Sequence, residues 1–474
     1  MSYQHGVYVE EQSTSITAPV TSDSAVQVVI GTAPVNMSQE GDLLAPKIAY
    51  TYDEAKNKVG YSNDFADFTL CEAINASFLK YSVAPVVFIN VLDPTKHIKQ
   101  VTAEETVTLA QKQATISKEG ILPGSLVVKS GTGETEVSYV SGKDYALSFD
   151  DNGYLTIRPA DGGAIAANVT ELKVTYSQLD PSKVTKDDII AGIQKIGMVY
   201  PLFNVFPGLI LAPKWSADTD VYMALAAKTE GLNGLFRCFL VSDMDTVTAN
   251  SYEKVAAYKS QNSLTNKNSL LLWPKCKVGG SVFDYSAIAA AHIASTDADN
   301  EGVPYVSPSN KALKIEGICD STGKEITLDF LAANELNGAG ICTALNMNGW
   351  RFWGNRTAAY PANTDVKDSF IPVRRMFSWW GNTFILTYFQ KVDDPMNKRL
   401  IESVVDSENI RAGGFKAKLQ IADAKIEYNS ADNTTTDLLN GKIQFKQNLT
   451  PFPPAEAIIN TLEFDTNAFK NALS

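Results

Sequence analysis

The chain has 474 residues, 45% of them hydrophobic and 20% charged, with a formal net charge of −12. Its length allows more than one core, and its composition is that of a globular protein. The acidic balance excludes a protein that neutralises nucleic-acid phosphates with clustered lysine and arginine, and no apolar run approaches the ~20 residues of a membrane-spanning helix. We therefore expect no nucleic-acid partner and no direct membrane insertion.

The N-terminal part predicts a polar lead followed by the start of an α/β core. Residues 1–22 lack the basic and apolar regions of a secretory signal and are expected to form an N-terminal arm. VQVVIG (26–31) predicts a buried strand, and apolar residues at helical spacing predict a helix over 65–80. PVVFINVL (85–92) is a continuous apolar run, as expected of a parallel strand that is buried on both faces.

Short alternating runs separated by turn sequences occupy residues 96–180. In ELKVTY, Leu172, Val174 and Tyr176 share one face of a strand, and the lysine and threonine between them take the other face. This pattern predicts an antiparallel β-sandwich. Because α/β patterning lies on both sides of it, we expect it to be an insertion into a core domain made of residues 23–95 and 181–345.

The second part of that core alternates apolar strands with helical patterns. The predicted strands are GLILAP (208–213), FRCFLVSD (236–243) and SLLLWP (269–274), and the predicted helices lie near 184–196, 216–229, 251–259 and 283–295. Such alternation indicates an α/β, doubly wound core with a mainly parallel sheet. A ligand would bind at the carboxyl ends of those strands, but we find no residue pattern there that indicates one.

Residues 346–454 predict a C-terminal α+β domain. TDVKDSFIPVRRMFSWWGNTF predicts one helix and NKRLIESVVDSENIRAGG a second, which we expect to begin with Asp394 near the N-cap and Pro395 in the first turn. Alternating strands are predicted in FKAKLQI with AKIEYN, in GKIQFKQN and in AIINTLEF, so the chain is expected to end in sheet. We interpret residues 455–474 as a C-terminal arm.

Recognised catalytic patterns are missing from the sequence: there is no GxSxG, GxxxxGK[ST] or HExxH, and no GxGxxG after a strand. We expect His97 to face solvent and His292 to lie packed or half-exposed on a helix. The acidic run 295–302 is expected to be a solvated loop, because Pro308 stands where a calcium loop needs glutamate. The five dispersed cysteines predict buried, reduced thiols. We expect no catalytic site, metal, cofactor or enzymatic activity.

The segment GWRFWGNRT (349–357) concentrates aromatic and guanidinium side chains. Arginine can clamp an anion, stack on an indole or pair with a carboxylate. Because the segment lies where the core passes into the C-terminal domain, we interpret Trp350, Arg351, Trp353 and Arg356 as a domain junction. A contact between subunits and a small anion site are the alternatives.

Four segments in order resemble the tail sheath proteins of contractile phages and of the related R-type bacteriocins. They are GVYVEE with VVIGTAP, VPYVSPSNKALKIEGI (303–318), GWRFWGNRT with IPVRR (371–375), and TPFPPAEAIINTLEF (450–464). The resemblance implies a structural subunit that polymerises around an inner tube and contracts to drive the tube through a target cell envelope. That family's core is called subtilisin-like for its fold, and since this chain has no subtilisin-type serine segment, the resemblance extends to architecture and not to protease chemistry.

The resemblance also implies partners. These are copies of the same chain in stacked rings of six, an inner tail tube protein, and baseplate and tail terminator proteins. The particle is expected to be a virion tail or a bacteriocin, assembled in the cytoplasm of the bacterial host.

Strand exchange is our hypothesis for the contact between subunits, because unpaired β edges can join through backbone hydrogen bonds. Segments 3–18 and 455–466 are the expected arms, pairing with strands near 416–428 and 441–448 of adjacent copies. The predicted exchange residues are Val7, Tyr8, Val9, Ile16, Ile458, Ile459, Leu462 and Phe464. The predicted acceptor residues are Leu419, Ile421, Ile426, Ile443 and Phe445. The tube-facing candidates are Arg374, Arg375, Lys398, Arg399 and Arg411.

Two alternatives stay open at this stage. One is a hydrolase on the doubly wound core, which the missing nucleophile pattern disfavours. The other is a protein that binds carbohydrate or a cell surface through the inserted domain. That domain has few aromatic residues, chiefly Tyr139, Tyr145, Phe149 and Tyr154, and no tryptophan, so it offers a poor platform for sugar rings.

Overall fold

The protein is described here from a computed structural model that covers residues 24–38, 43–150 and 152–473. The predicted exchange residues Val7, Tyr8, Val9 and Ile16 lie outside the described residues. The first elements of the core, in chain order, are β1 (Gln27–Gly31), β2 (Lys47–Ala49), α1 (Tyr52–Val59), α2 (Thr69–Ile74) with a π-helical continuation (Asn75–Tyr81), and β3 (Val86–Asn90). The two predicted strands are therefore confirmed, and so is the predicted helix from Thr69 onward, whereas residues 65–68 are not helical.

The inserted segment forms two antiparallel sheets. Its strands are β4 (Ile98–Thr108), β5 (Ala114–Ile116), β6 (Val127–Ser130), β7 (Val137–Tyr139), β8 (Tyr145–Phe149), β9 (Leu155–Pro159) and β10 (Glu171–Leu179). The order is β4-β10-β6-β7 in one sheet and β5-β9-β8 in the other. Leu172, Val174 and Tyr176 are buried in a hydrophobic cluster formed by this segment alone, as their alternation predicts.

The chain then returns to the core with alternating helices and strands. In order they are α3 (Lys186–Gln194), α4 (Val199–Phe203), β11 (Leu209–Leu211), α5 (Thr219–Thr229), β12 (Phe239–Asp243), α6 (Tyr252–Gln261), β13 (Ser269–Leu272), β14 (Lys275–Val278), β15 (Ser281–Phe283), α7 (Tyr285–Ala298), β16 (Gly317–Cys319), α8 (Phe330–Gly338) and β17 (Thr343–Asn346). Single 3-10 turns connect several of these elements.

A six-stranded sheet lies at the centre of the core, in the order β13-β12-β11-β1-β3-β2. Its neighbouring strands run parallel except for β2 and β3; Val28, for example, lies opposite both Val87 and Ile210. Helices α2, α3, α5 and α7 pack on these strands. Every residue of β1 and β3 is buried, because a strand covered on both faces has no solvent side. The overall class is a mixed α/β protein with several sheets.

The last part of the chain is mainly helical and ends in a short helix. Its elements are β18 (Trp350–Trp353), α9 (Val366–Ser369), α10 (Ile371–Tyr388), α11 (Lys398–Ala417), β19 (Asp423–Glu427), α12 (Thr435–Leu439), β20 (Lys446–Thr450) and α13 (Thr466–Ala472). The N-cap of helix α13 is Asp465, whose carboxylate accepts the N–H groups of Asn467 and Ala468. The prediction that the chain ends in sheet is wrong for the isolated subunit, since AIINTLEF forms no strand there.

Helix α11 begins and ends later than the sequence predicts. Its N-cap is Asn397, whose side chain accepts the N–H of Leu400, and not Asp394. It continues past Gly413 and Gly414, where the predicted helix ends, so the first residues of FKAKLQI form its final turn instead of a strand. The extension places Phe415 against the rings of Trp379 and Trp380, at centroid distances of 5.5 and 5.4 Å. This aromatic packing outweighs the ~1 kcal/mol that each glycine costs inside a helix.

Candidate functional site

Two side chains of the GWRFWGNRT segment, those of Trp350 and Arg351, fasten it to the core. The segment forms β18, which pairs with β17 in register from Thr343 opposite Trp353. Trp350 donates from Nε1 to the carbonyl oxygen of Glu316 (2.9 Å), and Arg351 donates to the carbonyl oxygens of Asn310 and Met347 (3.0 and 3.1 Å). Neither tryptophan stacks on an arginine here, because backbone carbonyls and other rings supply the contacts.

Arg356 is the member of this segment that contacts another part of the surface. Its guanidinium lies 3.8 Å from the ring centre of Phe370 and 4.4 Å from that of Tyr360. Its Nε and Nη2 donate to the two carboxylate oxygens of Glu456 at 3.1 and 2.5 Å. Such a bidentate pair fixes orientation as well as distance. It joins the opening of the C-terminal region to the start of the predicted arm.

Beyond Glu456 the chain runs over the surface without joining a helix or strand until α13. Four large apolar side chains in this stretch are exposed: Ile458 at 90%, Ile459 and Leu462 at 87%, and Phe464 at 74%. Isolated apolar residues are common at surfaces, but a run of them marks a surface that another molecule covers. These are the four C-terminal residues that the sequence predicts as exchanging.

A two-stranded sheet formed by β19 and β20 lies in the same C-terminal region, with Ile426 opposite Gln447. The outer side of β19 is occupied at Ile426, because the side chain of Asn409 on α11 bonds both its N–H and its C=O (3.0 Å each). Within the residues that the structure covers, β20 pairs with no strand other than β19. The open edge is therefore that of β20.

The predicted acceptor residues fall into three groups around this hairpin. Ile421 and Ile426 are buried, whereas Leu419 is an exposed residue with φ 57° just after α11, so the expectation of a strand there is wrong. Ile443 and Phe445 precede β20 and, together with Ile426 and Phe384, line a cavity of about 570 Å³ beside the hairpin. The cavity and the open edge of β20 are adjacent.

Arg374 and Arg375 do not face outward as predicted. Arg374 donates to Asp368 (3.0 Å), and Arg375 binds both carboxylate oxygens of Asp297 (3.0 and 2.5 Å); the four side chains are 11% exposed or less. Arg375 also donates to the carbonyl oxygen of Ser24 (3.1 Å). A buried, paired guanidinium presents no charge to a partner, so the tube-facing expectation is wrong for both residues.

Arg411 is also buried, and two exposed candidates remain. Its guanidinium lies 3.9 Å from the ring centre of Trp380 and pairs with Glu408 at 2.8 Å. Lys398 and Arg399 are exposed at the start of α11, and Lys398 lies 3.4 Å from Glu402. Only these two cations of the predicted set can reach a partner's surface, and their contact with a tube stays a prediction.

The ion pair of Arg375 also corrects the reading of the acidic run at 295–302. Helix α7 continues to Ala298, and Asp297 is a buried helical residue instead of part of a solvated loop. Sequence reasoning missed it because its partner lies 78 residues away. The spacing within the run carried no signal of a distant arginine.

A buried acidic cluster at the carboxyl end of β12 is a further feature that the sequence did not reveal. Asp243 accepts the N–H and O–H of Ser286 (2.7 and 2.5 Å), Glu72 accepts the N–H of Asp284 (2.8 Å), and Lys275 pairs with Asp284. Burial, reinforced by the charge of Asp284, raises the pKa of Asp243 to about 7 and also raises that of Glu72. Within the described residues, no group of three or more His, Cys, Asp or Glu is arranged to hold a metal ion.

Both described histidines are buried. His97 was expected to face solvent, but it is 4% exposed, with Nδ1 accepting the N–H of Asp93 (2.9 Å) and Nε2 3.4 Å from Asp188. His292 lies in α7 with Nε2 3.0 Å from the carbonyl oxygen of Pro308, and burial lowers its pKa to about 4. The five cysteines are buried, as predicted. None of the described helices is long and apolar enough to cross a membrane.

Comparison with known proteins gives a consistent result. No family model matches the chain. Aligned over 482 positions, it is 29% identical to the tail sheath protein of Burkholderia phage BcepMu, and the alignment covers 96% of each protein. It is also 31% identical over 268 residues to a putative prophage major tail sheath protein of Pseudomonas aeruginosa, covering 54% of this chain and 64% of that protein. The homologues of this chain are therefore tail sheath proteins of phages and prophages.

Solved structures of contractile particles contain chains with the same fold. The chain resembles a chain of the 6-fold symmetrised anti-feeding prophage baseplate (TM-score 0.58, 17% identity, 98% of this chain and 100% of that one). It also resembles a chain of a contracted sheath complex from an extracellular contractile injection system (TM-score 0.57, 14% identity, 99% of each). At these identities the likeness is one of fold. With the relatives above, it makes this chain a sheath protein of a contractile tail or injection system.

Proposed function

We propose that this sheath subunit polymerises around an inner tube in stacked rings of six copies, and that neighbouring copies are joined by exchanged β-strands. Contraction of the polymer would drive the tube through a target envelope. Assembly would take place in the cytoplasm of a bacterial host, with baseplate and tail terminator proteins at the two ends. In this proposal the chain is not an enzyme and needs no cofactor.

The observation that carries the proposal is an exposed apolar segment in the same subunit as an open strand edge. In 458–464, Ile458, Leu462 and Phe464 alternate onto one side of an extended chain. The β20 edge has unpaired backbone groups, and the cavity beside it presents Ile443 and Phe445. A strand added to β20 by the arm of another copy satisfies the backbone and covers the apolar side chains together.

The energetics favour a joint that is weak singly and strong when repeated. A net ~1 kcal/mol for each backbone hydrogen bond gives a five-residue strand on the order of 3–5 kcal/mol before ordering costs. One joint of this kind is reversible, but many joints around a ring and along a stack hold the lattice together. An extended link can also hinge while folded domains rotate, so subunits can rearrange without separating.

We also propose a domain organisation in which each part of the chain has its own role. Residues 23–95 and 181–345 would form the rigid, doubly wound core, 96–180 the outer inserted domain, 346–454 the joining domain, and 1–22 and 455–474 the arms. Separate hydrophobic clusters in the core and in the inserted segment support the first two units. Trp350, Arg351 and Trp353 would fix the junction, and Lys398 with Arg399 would face the tube.

Deletion of the C-terminal arm tests the proposal. A variant that lacks 457–474 should purify as a folded monomer and form no filaments in negative-stain electron microscopy. The matched control lacks only 466–474, which removes α13 but keeps the exchanging residues, and it should polymerise. Deletion of residues 1–18 should likewise give a folded subunit that does not polymerise. Filaments of normal length from either arm deletion would refute strand exchange.

A further inference from the structure

The bidentate contact between Arg356 and Glu456 links two segments that are 100 residues apart. Arg356 is held in place by groups other than Glu456: the rings of Tyr360 and Phe370 flank its guanidinium, and Nη1 donates to Ser369 Oγ at 3.2 Å. Its backbone also forms a bridge with Phe370. The guanidinium is therefore oriented in advance, and only the carboxylate comes from the C-terminal segment.

The chain that brings Glu456 to this position is stiff. It runs from the end of β20 through PFPPAE (451–456), in which three of six residues are proline. Proline restricts such a segment to an extended conformation that rises about 3.1 Å per residue, so the six residues span about 19 Å. At one end the hairpin fixes this spacer, and at the other end Arg356 does.

We infer that Arg356 is a positioning residue that sets where the C-terminal arm leaves the subunit. With the ion pair closed, the free arm begins at Ala457. With it open, the free arm begins at Pro451 and its reach grows by about 19 Å. This inference rests on the proposed strand exchange, because the exit point decides which neighbouring hairpin an exchanging segment can reach. The contact of Arg356 with Glu456 stands on its own geometry.

Two glutamates on the same C-terminal stretch allow the inference to be measured. Glutamyl endopeptidase cleaves after glutamate and needs several residues of free, extended chain. Glu456 is held by the ion pair, whereas Glu463 lies in the free arm and serves as an internal reference. Cleavage rates at both sites are measured on the unassembled, full-length subunit isolated by size exclusion, and each rate is normalised to that of the urea-unfolded chain.

The expected result is cleavage after Glu456 at least tenfold slower than after Glu463 in the wild type. Arg356→Gln leaves the cleaved sequence unchanged and should remove this difference in cleavage rate. Arg356→Lys should give an intermediate rate, because lysine keeps the positive charge but cannot form the bidentate contact. Arg351→Gln is the matched control: this arginine lies five positions away, bonds only backbone carbonyls, and should leave the rate at Glu456 as in the wild type. Raising the salt to 1 M should speed cleavage after Glu456 and not after Glu463.

Equal rates at Glu456 in the wild type and in Arg356→Gln would overturn the inference. If Arg356→Gln does not fold, the test uses Glu456→Gln instead, and hydrogen exchange of the backbone amides at 455–457 is measured. These amides should exchange faster than in the wild type, and an unchanged exchange rate would refute the contact. Failure of the proposed strand exchange can be distinguished from failure of this inference, because it would appear as normal filaments from the variant that lacks 457–474. If that variant forms normal filaments while Glu456 is protected from cleavage in the full-length subunit, the contact with Arg356 exists but has no role in assembly.

Discussion

The buried pair between Asp297 and Arg375 provides the most quantitative test of the structure. Asp297 lies near the end of α7 in the core, and Arg375 lies in the first turns of α10, so the pair joins the core to the C-terminal region. The aspartate also accepts a hydrogen bond from Ser24 Oγ at 2.7 Å. Both side chains are 3% exposed or less, so water cannot replace a missing partner.

Removal of the carboxylate in Asp297→Ala leaves a buried guanidinium with one carbonyl oxygen, that of Ser24, as its remaining partner. Breaking a buried pair in this way costs about 3–5 kcal/mol, because the uncompensated charge stays desolvated. Replacing both members by apolar residues of similar volume, as in Asp297→Leu with Arg375→Met, removes that charge. The double variant should therefore be within about 1–2 kcal/mol of the wild type.

The assay is urea unfolding of the unassembled subunit, followed by tryptophan fluorescence, since Trp379 and Trp380 lie on the same helix as Arg375. Lys418→Ala is the matched control: its pair with Glu301 also joins the core to the C-terminal region, but both side chains are more than half exposed. An exposed pair contributes about 0–1 kcal/mol. If Asp297→Ala loses no more stability than Lys418→Ala, the account of a buried, uncompensated charge is refuted.

Three further expectations follow from the structure. The raised pKa of Asp243 means that its carboxyl ionises near pH 7 in the folded state instead of at 3.8. Because the unfolded chain then releases this proton at lower pH than the folded chain, the wild type should lose up to ~4 kcal/mol of stability between about pH 4 and 7, measured by urea unfolding. Asp243→Asn should lose less over the same pH range, and an equal pH dependence in both proteins would contradict this expectation. Gly414→Ala should stabilise the protein by about 0.5–1 kcal/mol in thermal unfolding, because Gly414 is helical and an added Cβ would meet no atom within 4 Å. A loss of stability would show that the glycine is needed at this position. Reversing the charges of Lys398 and Arg399 should abolish co-assembly with purified tube protein in sedimentation, whereas unchanged co-sedimentation would remove these residues from the tube-facing set.

Elements whose pattern is local could be predicted from the sequence. The uninterrupted apolar run around Val86–Asn90 becomes a central strand of the parallel sheet, and the alternation of Leu172, Val174 and Tyr176 gives the buried face of β10. In both cases burial on one or two faces follows from the sheet alone, so no distant residue has to be known.

Features that depend on distant partners could not be predicted. Arg374 and Arg375 look like a surface cluster in sequence, and only the approach of Asp368 and Asp297 makes them interior residues. His97 is buried for the same kind of reason, because Asp188 lies on a helix beyond the inserted segment. The segment after Gly414 alternates like a strand, but Phe415 packs on two tryptophans of α10 and keeps it helical.

A cryo-EM reconstruction of the assembled polymer tests the central claim most directly. The account predicts that residues 457–464 of one copy run beside Lys446–Thr450 of another copy, within backbone hydrogen-bonding distance, with Ile458 and Leu462 turned toward Ile443 and Phe445. Density that shows this segment folded back on its own subunit, with the β20 edge unpaired or occupied by another protein, would contradict it.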